Sequence, residues 1–320
     1  MEPVREQITR RILTAMENGT PPWRKGWEVA GTQINGSTGK PYSGINQVLL
    51  AITAATLPQG GDNRWLTMKQ ANAQKMHIRR GEKSTKIVRL VEVQQDKNAK
   101  ANEGAAKGEV LEEGEQSRLV LKVYDVFHAS QIEGMAPLPP RSGNLVETIA
   151  AVDALSEGMK QDGLTILHGA QGASYLPRID TVRMPSINSF HDSTAYSSTL
   201  LHELSHATGS TKRLARLATS GHLTDQERAR EELRAELASA MMGGELGLPM
   251  SQEQIDSHAA YLTSWHDLLA NDPNEIFRAA ADAQRIVDYL QGVALKPSKE
   301  LDAATNEPAA PVLPAVMPRL

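Results

Sequence analysis

Two histidines four residues apart, His202 and His206, constrain this chain of 320 residues more than any other feature of its sequence. A helix places residues at this spacing on one face, so both imidazoles could bind the same metal ion. Glu203 follows the first histidine at the edge of that face, where its carboxylate could accept a proton from water. The spacing therefore predicts a helical metal site with His202 and His206 as ligands and Glu203 as the catalytic residue.

The residues around this motif favour a helix near 193–208. Asp192 or Ser193 can cap its start, and Gly209 can end it. An apolar face is supplied by Leu200, Leu201, Leu204 and Ala207. The motif therefore lies in the helical context that its chemistry requires.

The third metal ligand follows less directly from the sequence. The chain has no cysteine, so histidines and carboxylates must hold any metal, and a catalytic zinc usually has three protein ligands. A histidine three residues after Gly209 would complete one such pattern, but that position holds Lys212. Spacing leaves several nearby histidines and carboxylates as candidates: Glu232, with Glu231, Glu236, His222 and His258 as alternatives.

Glu232 and Glu236 are four residues apart on the next predicted helix, in an arrangement that resembles the gluzincin peptidases. In those enzymes the first acid binds the metal and the second orients a ligand histidine. The resemblance implies Glu232 as the metal ligand and Glu236 as the partner of His202. Affinity order favours Zn2+ at such a site, with Mn2+ as the alternative.

Peptide hydrolysis is the chemistry that such a site predicts. A zinc ion polarises a carbonyl and activates water, and Glu203 would pass the proton to the leaving amine of a protein or peptide substrate. Tyr196, His258 and Tyr261 are candidate donors to the oxyanion, and the sequence does not choose between them. A strand predicted at Ile179–Met184 is either an edge that pairs with an extended peptide or an ordinary sheet strand.

Hydrophobic periodicity along the chain predicts an α+β protein of two domains, a small α+β domain followed by a mainly helical one. A proline-rich stretch at 137–144 is predicted to be the linker between a first domain at 1–136 and a second at 145–296. Residues 94–117 are almost without apolar side chains and predict a mobile insertion joining two paired strands. The alanine- and proline-rich residues 297–320 predict a disordered tail.

Charge is distributed unevenly between the two predicted domains. Residues 1–93 contain 14 Lys and Arg against 7 Asp and Glu, whereas residues 141–320 contain 15 against 23. Flat rings interleaved with cations are typical of proteins that bind single-stranded nucleic acid. The candidate DNA contacts share this aromatic or basic character: Trp23, Arg24, Lys25, Trp27, Lys40, Tyr42, Arg64, Trp65, Lys69, Arg79, Arg80 and Lys83.

Several separated motifs resemble the ArdC-type antirestriction proteins, whose N-terminal domain also begins the TraC-type plasmid primases. They include 38–46 (TGKPYSGIN), 80–85 (RGEKST), 200–209 (LLHELSHATG) and 229–236 (AREELRAE). The resemblance implies a single-stranded-DNA-binding domain, a zincin-like metallopeptidase domain and protection of incoming plasmid DNA during conjugation. The chain departs from the family at Ser205, where Gly is common, and at Ala207, where an aromatic residue is usual.

Two further readings of the sequence compete with a DNA-guided peptidase. In the first, the protein masks DNA without catalysis and the metal fold is a scaffold. In the second, it is a nuclease, although two histidines and a glutamate favour acyl chemistry and no Asp-rich two-metal cluster is visible. Double-stranded DNA is the second candidate nucleic-acid ligand.

No apolar run approaches the about 20 residues of a membrane span, and the N-terminal residues lack the apolar centre of a signal peptide. We therefore expect no membrane partner and a cytoplasmic location.

Overall fold

The computed structural model of the chain describes residues 3–17, 21–23, 27, 30–57, 61–94, 108–113, 117–138, 144–217, 223–248 and 261–294. They form a mixed α and β protein with two domains, which confirms the predicted fold class. No helix in this described part of the chain is both long enough and apolar enough to cross a membrane.

The first half is built on a five-stranded sheet flanked by helices. Its helices are α1 (Val4–Met16), α2 (Ile45–Ala54) and α3 (Met68–Ala73). Its strands are β1 (Ile34–Asn35), β2 (Arg64–Leu66), β4 (Thr85–Gln94), β5 (Gly108–Glu113) and β6 (Ser117–His128), in the order β1-β2-β6-β4 with β5 on β6. Two short strands, β3 (His77–Ile78) and β7 (Ile132–Glu133), pair separately.

The long strands β4 and β6 are antiparallel, as predicted, with Thr85 opposite Val126 and Gln94 opposite Ser117. The sequence predicted a mobile insertion between them at 94–117. That prediction was wrong in part, because Gly108–Glu113 form strand β5. β5 pairs with β6, whose backbone groups on the edge away from β4 would otherwise lack partners within the sheet. The rest of the insertion, 95–107 and 114–116, lies outside the described residues.

The second half places a small sheet beside a group of helices. Its helices are α4 (Leu145–Gln161), α5 (Ser193–Ala207), α6 (Asp225–Leu246), α7 (Leu262–Asn271) and α8 (Glu275–Ala294). Its strands are β8 (Thr165–His168), β9 (Ser174–Leu176) and β10 (Thr181–Met184).

The order of this sheet decides between the two alternatives for the strand near Ile179–Met184. It is an ordinary sheet strand and not an edge, because β10 lies between β8 and β9 and pairs with both. The side chains of Val182 and Met184 are fully buried, as expected for a central strand that packs on a helix. β8 and β9 are the outer strands of this sheet within the described residues.

Local signals position the two helices that matter for the site. The Asp192 carboxylate accepts a hydrogen bond from the Ala195 backbone at 2.8 Å and caps α5, as one of the two predicted alternatives. α6 begins at a capping box in which Thr224 and Glu227 satisfy each other's backbone N–H groups. It ends at Gly247, whose φ of 71° is a left-handed conformation that favours glycine.

One hydrophobic core joins the two halves. Ile8, Ile12 and Trp23 belong to the same cluster of buried side chains as Leu233 and Trp265. Polar contacts reinforce this packing, since Arg5 donates to Asn274 at 2.7 Å and the Gly44 N–H donates to Gln284 at 3.1 Å. Residues on both sides of the predicted linker, 137–144, therefore share a single core.

Candidate metal and catalytic site

α5 and α6 bring two imidazoles and one carboxylate to a common point. The Nε2 atoms of His202 and His206 lie 3.1 Å apart. Glu232 places Oε2 3.6 Å from Nε2 of His202 and Oε1 3.6 Å from Nε2 of His206. Among the described residues these three side chains form the one group of His, Asp and Glu suited to a metal, with ligand atoms within 4.8 Å of one another.

This donor set fits a small divalent cation. Two ligands that bind zinc at about 2.0–2.1 Å with tetrahedral angles lie roughly 3.3 Å from each other. The observed separations of 3.1 and 3.6 Å bracket that value. Lys212, which replaces the third histidine of the excluded pattern, is 68% exposed at its side chain and lies 3.5 Å from Asp180. The alternatives His222 and His258 lie outside the described residues.

Glu231, which precedes Glu232 on α6, contacts His206 at the ring nitrogen that Glu232 does not face. Its Oε1 lies 3.4 Å from Nδ1 of His206, the ring nitrogen that faces away from the metal position. Arg216 donates to the same oxygen at 2.9 Å. Burial acts to raise the pKa of the Glu231 carboxyl, but the hydrogen bonds and positive charges of His206 and Arg216 outweigh it and keep the pKa low. The sequence predicted Glu231 as an alternative metal ligand and did not predict its contact with His206.

Glu236 lies one turn further along α6 and is fully buried. Its Oε1 accepts a hydrogen bond from Nε1 of Trp23, in the first half of the chain, at 3.4 Å. The role predicted for Glu236 beside His202 stays a prediction, whereas the contact with Trp23 was not anticipated.

Glu203 is held in a protected position between the histidines and the small sheet. Only 7% of the residue is exposed, and this burial raises the pKa of its carboxyl, against the opposing effect of His202 and His206. The backbone N–H of Tyr175, on β9, acts to lower the pKa of this carboxyl, which places it beside Glu203. A buried carboxylate with a raised pKa beside two imidazoles is suited to accept and return a proton.

The structure separates two of the candidate oxyanion donors. Tyr196 lies two helical turns before Glu203, and its hydroxyl bonds to Nε2 of His168 at 3.0 Å. Side chains on a helix lean toward its N-terminus, which directs Tyr196 away from the metal position. Tyr261 is half-buried and stacks on Trp265 with ring centroids 5.9 Å apart. Burial raises the pKa of Tyr261, and the negative charge of Glu232 raises it further.

Three tryptophans that were predicted to contact DNA are core residues instead. Trp23, Trp27 and Trp65 are 0%, 2% and 0% exposed, so their rings offer no face to a base. Their indole N–H groups donate inside the protein, that of Trp65 to Gln33 at 2.7 Å and that of Trp27 to Gln47 at 3.5 Å. Burying these large rings stabilises the fold, and the internal acceptors remove the cost of burying a polar N–H group.

Tyr42 and the predicted cations differ in exposure. Arg64 is half-buried and binds Asp62 at 2.6 Å, and Tyr42 is half-buried against a small core cluster. Arg79 is exposed but pairs with Glu82 at 3.1 Å. The exposed cations of the first half are Lys40, Lys69, Arg79, Arg80 and Lys83. Arg24 and Lys25 lie outside the described residues.

Two sections of the chain match known protein families. Residues 2–127 match the N-terminal domain of the anti-restriction factor ArdC. Residues 153–282 match a family described as zincin-like metallopeptidases.

Curated relatives cover most of the chain. It is 37% identical over 304 residues to a DNA primase TraC of Escherichia coli, covering 90% of this chain and 27% of the relative. A second Escherichia coli TraC is 37% identical over 301 residues and is covered to 20%. The chain thus spans about a quarter or a fifth of the length of these primases. The uncharacterized protein y4eC of Sinorhizobium fredii is 32% identical over 307 residues, with 94% of each chain covered.

Solved structures agree with these matches. The metal-free crystal structure of the antirestriction ArdC protein from the R388 plasmid is 32% identical, with a TM-score of 0.71, covering 91% of this chain and 97% of that one. The Mn(II)-bound structure of the same protein has a TM-score of 0.73 at 32% identity and covers 92% and 99%.

Proposed function

Because this chain belongs to the ArdC family of antirestriction proteins, we propose that it binds single-stranded DNA, protects incoming plasmid DNA during conjugation and carries a working metallopeptidase site. The observation that carries the peptidase proposal is the meeting of His202, His206 and Glu232 beside the buried Glu203.

In this proposal, His202, His206 and Glu232 hold a divalent cation. Zn2+ is the first candidate because its affinity for nitrogen ligands is high, and Mn2+ is the second because a Mn(II)-bound structure exists for the R388 protein. When bound, such an ion lowers the pKa of water and polarises a carbonyl. Three protein ligands would leave a coordination position free for water and substrate.

The protein's own residues supply proton transfer and positioning. Glu203 takes a proton from water and returns it to the leaving amine, since its carboxyl lies in a desolvated pocket that raises its pKa. Tyr261, whose pKa is raised by the charge of Glu232, is our choice for the donor that stabilises the oxyanion.

The substrate is a protein or peptide bound in extended form along β9. Within the described residues, β9 pairs only with β10, so its other edge can accept an added strand. The backbone of Tyr175, in the middle of β9, contacts Glu203. A peptide on this edge would therefore bring its backbone carbonyls close to the general base.

The exposed cations of the first half are proposed to bind the phosphates of single-stranded DNA, with double-stranded DNA as a weaker ligand. Replacing Lys40, Lys69, Arg79, Arg80 and Lys83 by Gln should weaken binding and flatten its dependence on salt. Each lost phosphate contact reduces the slope of log K against log salt by about 0.7 for a single strand. Lys160→Gln, a half-exposed lysine on α4 in the second half, is the control. If the variant with all five substitutions keeps the slope of the wild type, the DNA binds at another surface of the protein.

The decisive experiment compares the wild-type protein with Glu203→Gln, which keeps the size of the side chain but removes the base. Cleavage of a general protein substrate such as casein should be lost, while binding of Mn2+, Zn2+ and single-stranded DNA should persist. Cleavage that survives in this variant would exclude Glu203 as the base.

The same variant, assayed in conjugation into a restricting recipient, distinguishes the alternative function. If Glu203→Gln protects DNA as well as the wild type, the protein acts by masking DNA and the metal fold is a scaffold. Loss of protection together with loss of cleavage would tie proteolysis to the biological role.

A further inference from the structure

Two arginines, Arg213 and Arg216, hold the C-terminal end of α5, the helix that carries the histidines. Arg213 donates to the Ala207 carbonyl at 3.1 Å. Arg216 donates to the Ser205 carbonyl at 3.0 Å and to the Thr208 hydroxyl at 2.9 Å. The last carbonyls of a helix lack hydrogen-bond partners within it. A cation near them also interacts favourably with the negative end of the helix dipole. Both arginines therefore stabilise the same helix end.

The carboxylates that these arginines bind are different. Arg213 turns toward the sheet and α4, where it binds Asp180 at 2.7 Å and Asp162 at 3.1 Å. Arg216 turns toward α6, where its Nε and Nη2 bind Oε2 and Oε1 of Glu231 at 3.3 and 2.9 Å. Their side chains are 0% and 9% exposed. Of the two arginines, only Arg216 binds a carboxylate that in turn contacts a proposed metal ligand, because Glu231 contacts His206.

The contact of Glu231 with His206 decides which ring nitrogen faces the metal. A carboxylate 3.4 Å from Nδ1 favours the proton on that nitrogen. The lone pair of Nε2 is then directed toward His202 and Glu232. Outer carboxylates of this kind orient a ligand histidine and increase its basicity.

Arg216 also affects the choice of carboxylate ligand. Glu231 and Glu232 are adjacent on α6, and each could in principle bind a cation. Both oxygens of Glu231 are engaged by the planar guanidinium of Arg216, a two-point contact that a lysine cannot reproduce. Glu232 is the neighbour whose oxygens face both Nε2 atoms.

We infer that Arg216 is a positioning residue of the metal site: it holds Glu231 against Nδ1 of His206 and leaves Glu232 as the carboxylate ligand. The inference rests on the proposed metal-binding function. It does not require that the protein be a peptidase.

The test is calorimetric titration of the full chain with Mn2+ and with Zn2+. Arg216→Met should weaken binding by about 10- to 100-fold, the range found when outer partners of metal ligands are removed. Arg216→Lys should lose part of the affinity, because lysine keeps the charge but binds one oxygen at a time. Arg213→Lys is the matched control, since it alters the other arginine at the same helix end and should leave affinity unchanged.

A double-mutant cycle with Glu231→Gln separates positioning from general damage. If Arg216 acts through Glu231, the double variant should bind metal no more weakly than the weaker single variant. Two outcomes would overturn this inference and leave the proposed metal function intact. In one, Arg216→Met stays folded and binds metal as tightly as the wild type does. In the other, Arg216→Lys and Arg213→Lys lose equal amounts of metal affinity. Failure of the wild-type protein to bind either ion would instead remove the proposed metal function and this inference together.

Discussion

The indole Nε1 of Trp23 lies 3.4 Å from Oε1 of Glu236, although 213 residues separate them along the chain. Glu236 lies one helical turn beyond the proposed ligand Glu232. The Trp23 ring also lies 6.2 Å from that of Trp265, on which Tyr261 stacks. A residue of the first half therefore supports both the helix that carries a metal ligand and the proposed oxyanion donor.

Trp23→Ala should lower the free energy of unfolding by about 3–5 kcal/mol, the usual cost of truncating a buried aromatic side chain. Trp23→Phe keeps a ring but loses the hydrogen bond to Glu236, and should cost less. Urea denaturation followed by circular dichroism measures both values. We expect one cooperative transition for the wild type, since its halves share a core. Full stability in Trp23→Ala would mean that this contact does not join them.

Gly158, where α4 crosses α8, should not tolerate a larger residue. A Cβ there would lie 2.6 Å from the backbone oxygen of Val293, so Gly158→Ala should destabilise the protein by about 1–3 kcal/mol. Gly292→Ala is the matched control, because a Cβ at that position on α8 meets nothing within 4 Å. It should stabilise the helix by about 0.5–1 kcal/mol. Thermal unfolding of the two variants should shift in opposite directions.

Asp180 should make stability depend on acid pH. Burial acts to raise the pKa of Asp180, but hydrogen bonds from Arg213 and Tyr175 outweigh it and hold the pKa below 3.8. As the pH falls, the Asp180 carboxyl is therefore protonated in the unfolded chain before it is protonated in the folded protein. The stabilisation that ionised Asp180 provides is complete above pH 3.8 and is lost as the pH falls through the folded-state pKa.

Asp180→Asn should cost about 1–3 kcal/mol at neutral pH, because the buried Arg213 loses one of its two carboxylate partners and keeps Asp162. The difference from the wild type should shrink as the solution is made more acidic. Asp267→Asn, at a side chain that is 71% exposed, is the control and should change stability little. A constant difference across the acid range would contradict the argument.

Tyr261→Phe tests the oxyanion assignment. Loss of one donor to the oxyanion should lower kcat by about 100- to 1000-fold, while the affinity for Mn2+ stays as in the wild type. Tyr196→Phe, whose hydroxyl bonds to His168 instead, should have a much smaller effect. Equal losses of kcat in the two variants would leave Tyr261 without a special role.

The sequence was most informative where chemistry depends on local periodicity. A helix repeats every few residues, so the common face of His202 and His206, with Glu203 at its edge, followed from spacing alone. The cap of α5 was limited to Asp192 or Ser193 because both residue types accept hydrogen bonds from the first turn of a helix, and the structure shows Asp192. The pairing of β10 on both sides was not, because strand order depends on contacts between distant segments.

The prediction that three tryptophans contact DNA was wrong because local sequence does not show which residues are buried. An aromatic residue beside cations is compatible with a DNA surface and with a core, and only the tertiary contacts of Trp23 and Trp65 distinguish the two. Arg216 was not predicted because its carboxylate partner, Glu231, lies on another helix. A basic residue soon after a predicted helix end is nonetheless a usable signal, since such residues commonly bind the last carbonyls.

The packing of α1 against the helices of the second half has a consequence for the order of events during synthesis. Arg5 and Thr9 find partners at Asn274 and Pro273, which are made more than 260 residues later. A growing chain therefore exposes the apolar face of α1 until residues 273 and 274 have left the ribosome. Contacts of such long sequence separation slow folding and lengthen exposure to aggregation. We expect that fragments cut at the predicted linker will need a chaperone or the other half in trans to fold.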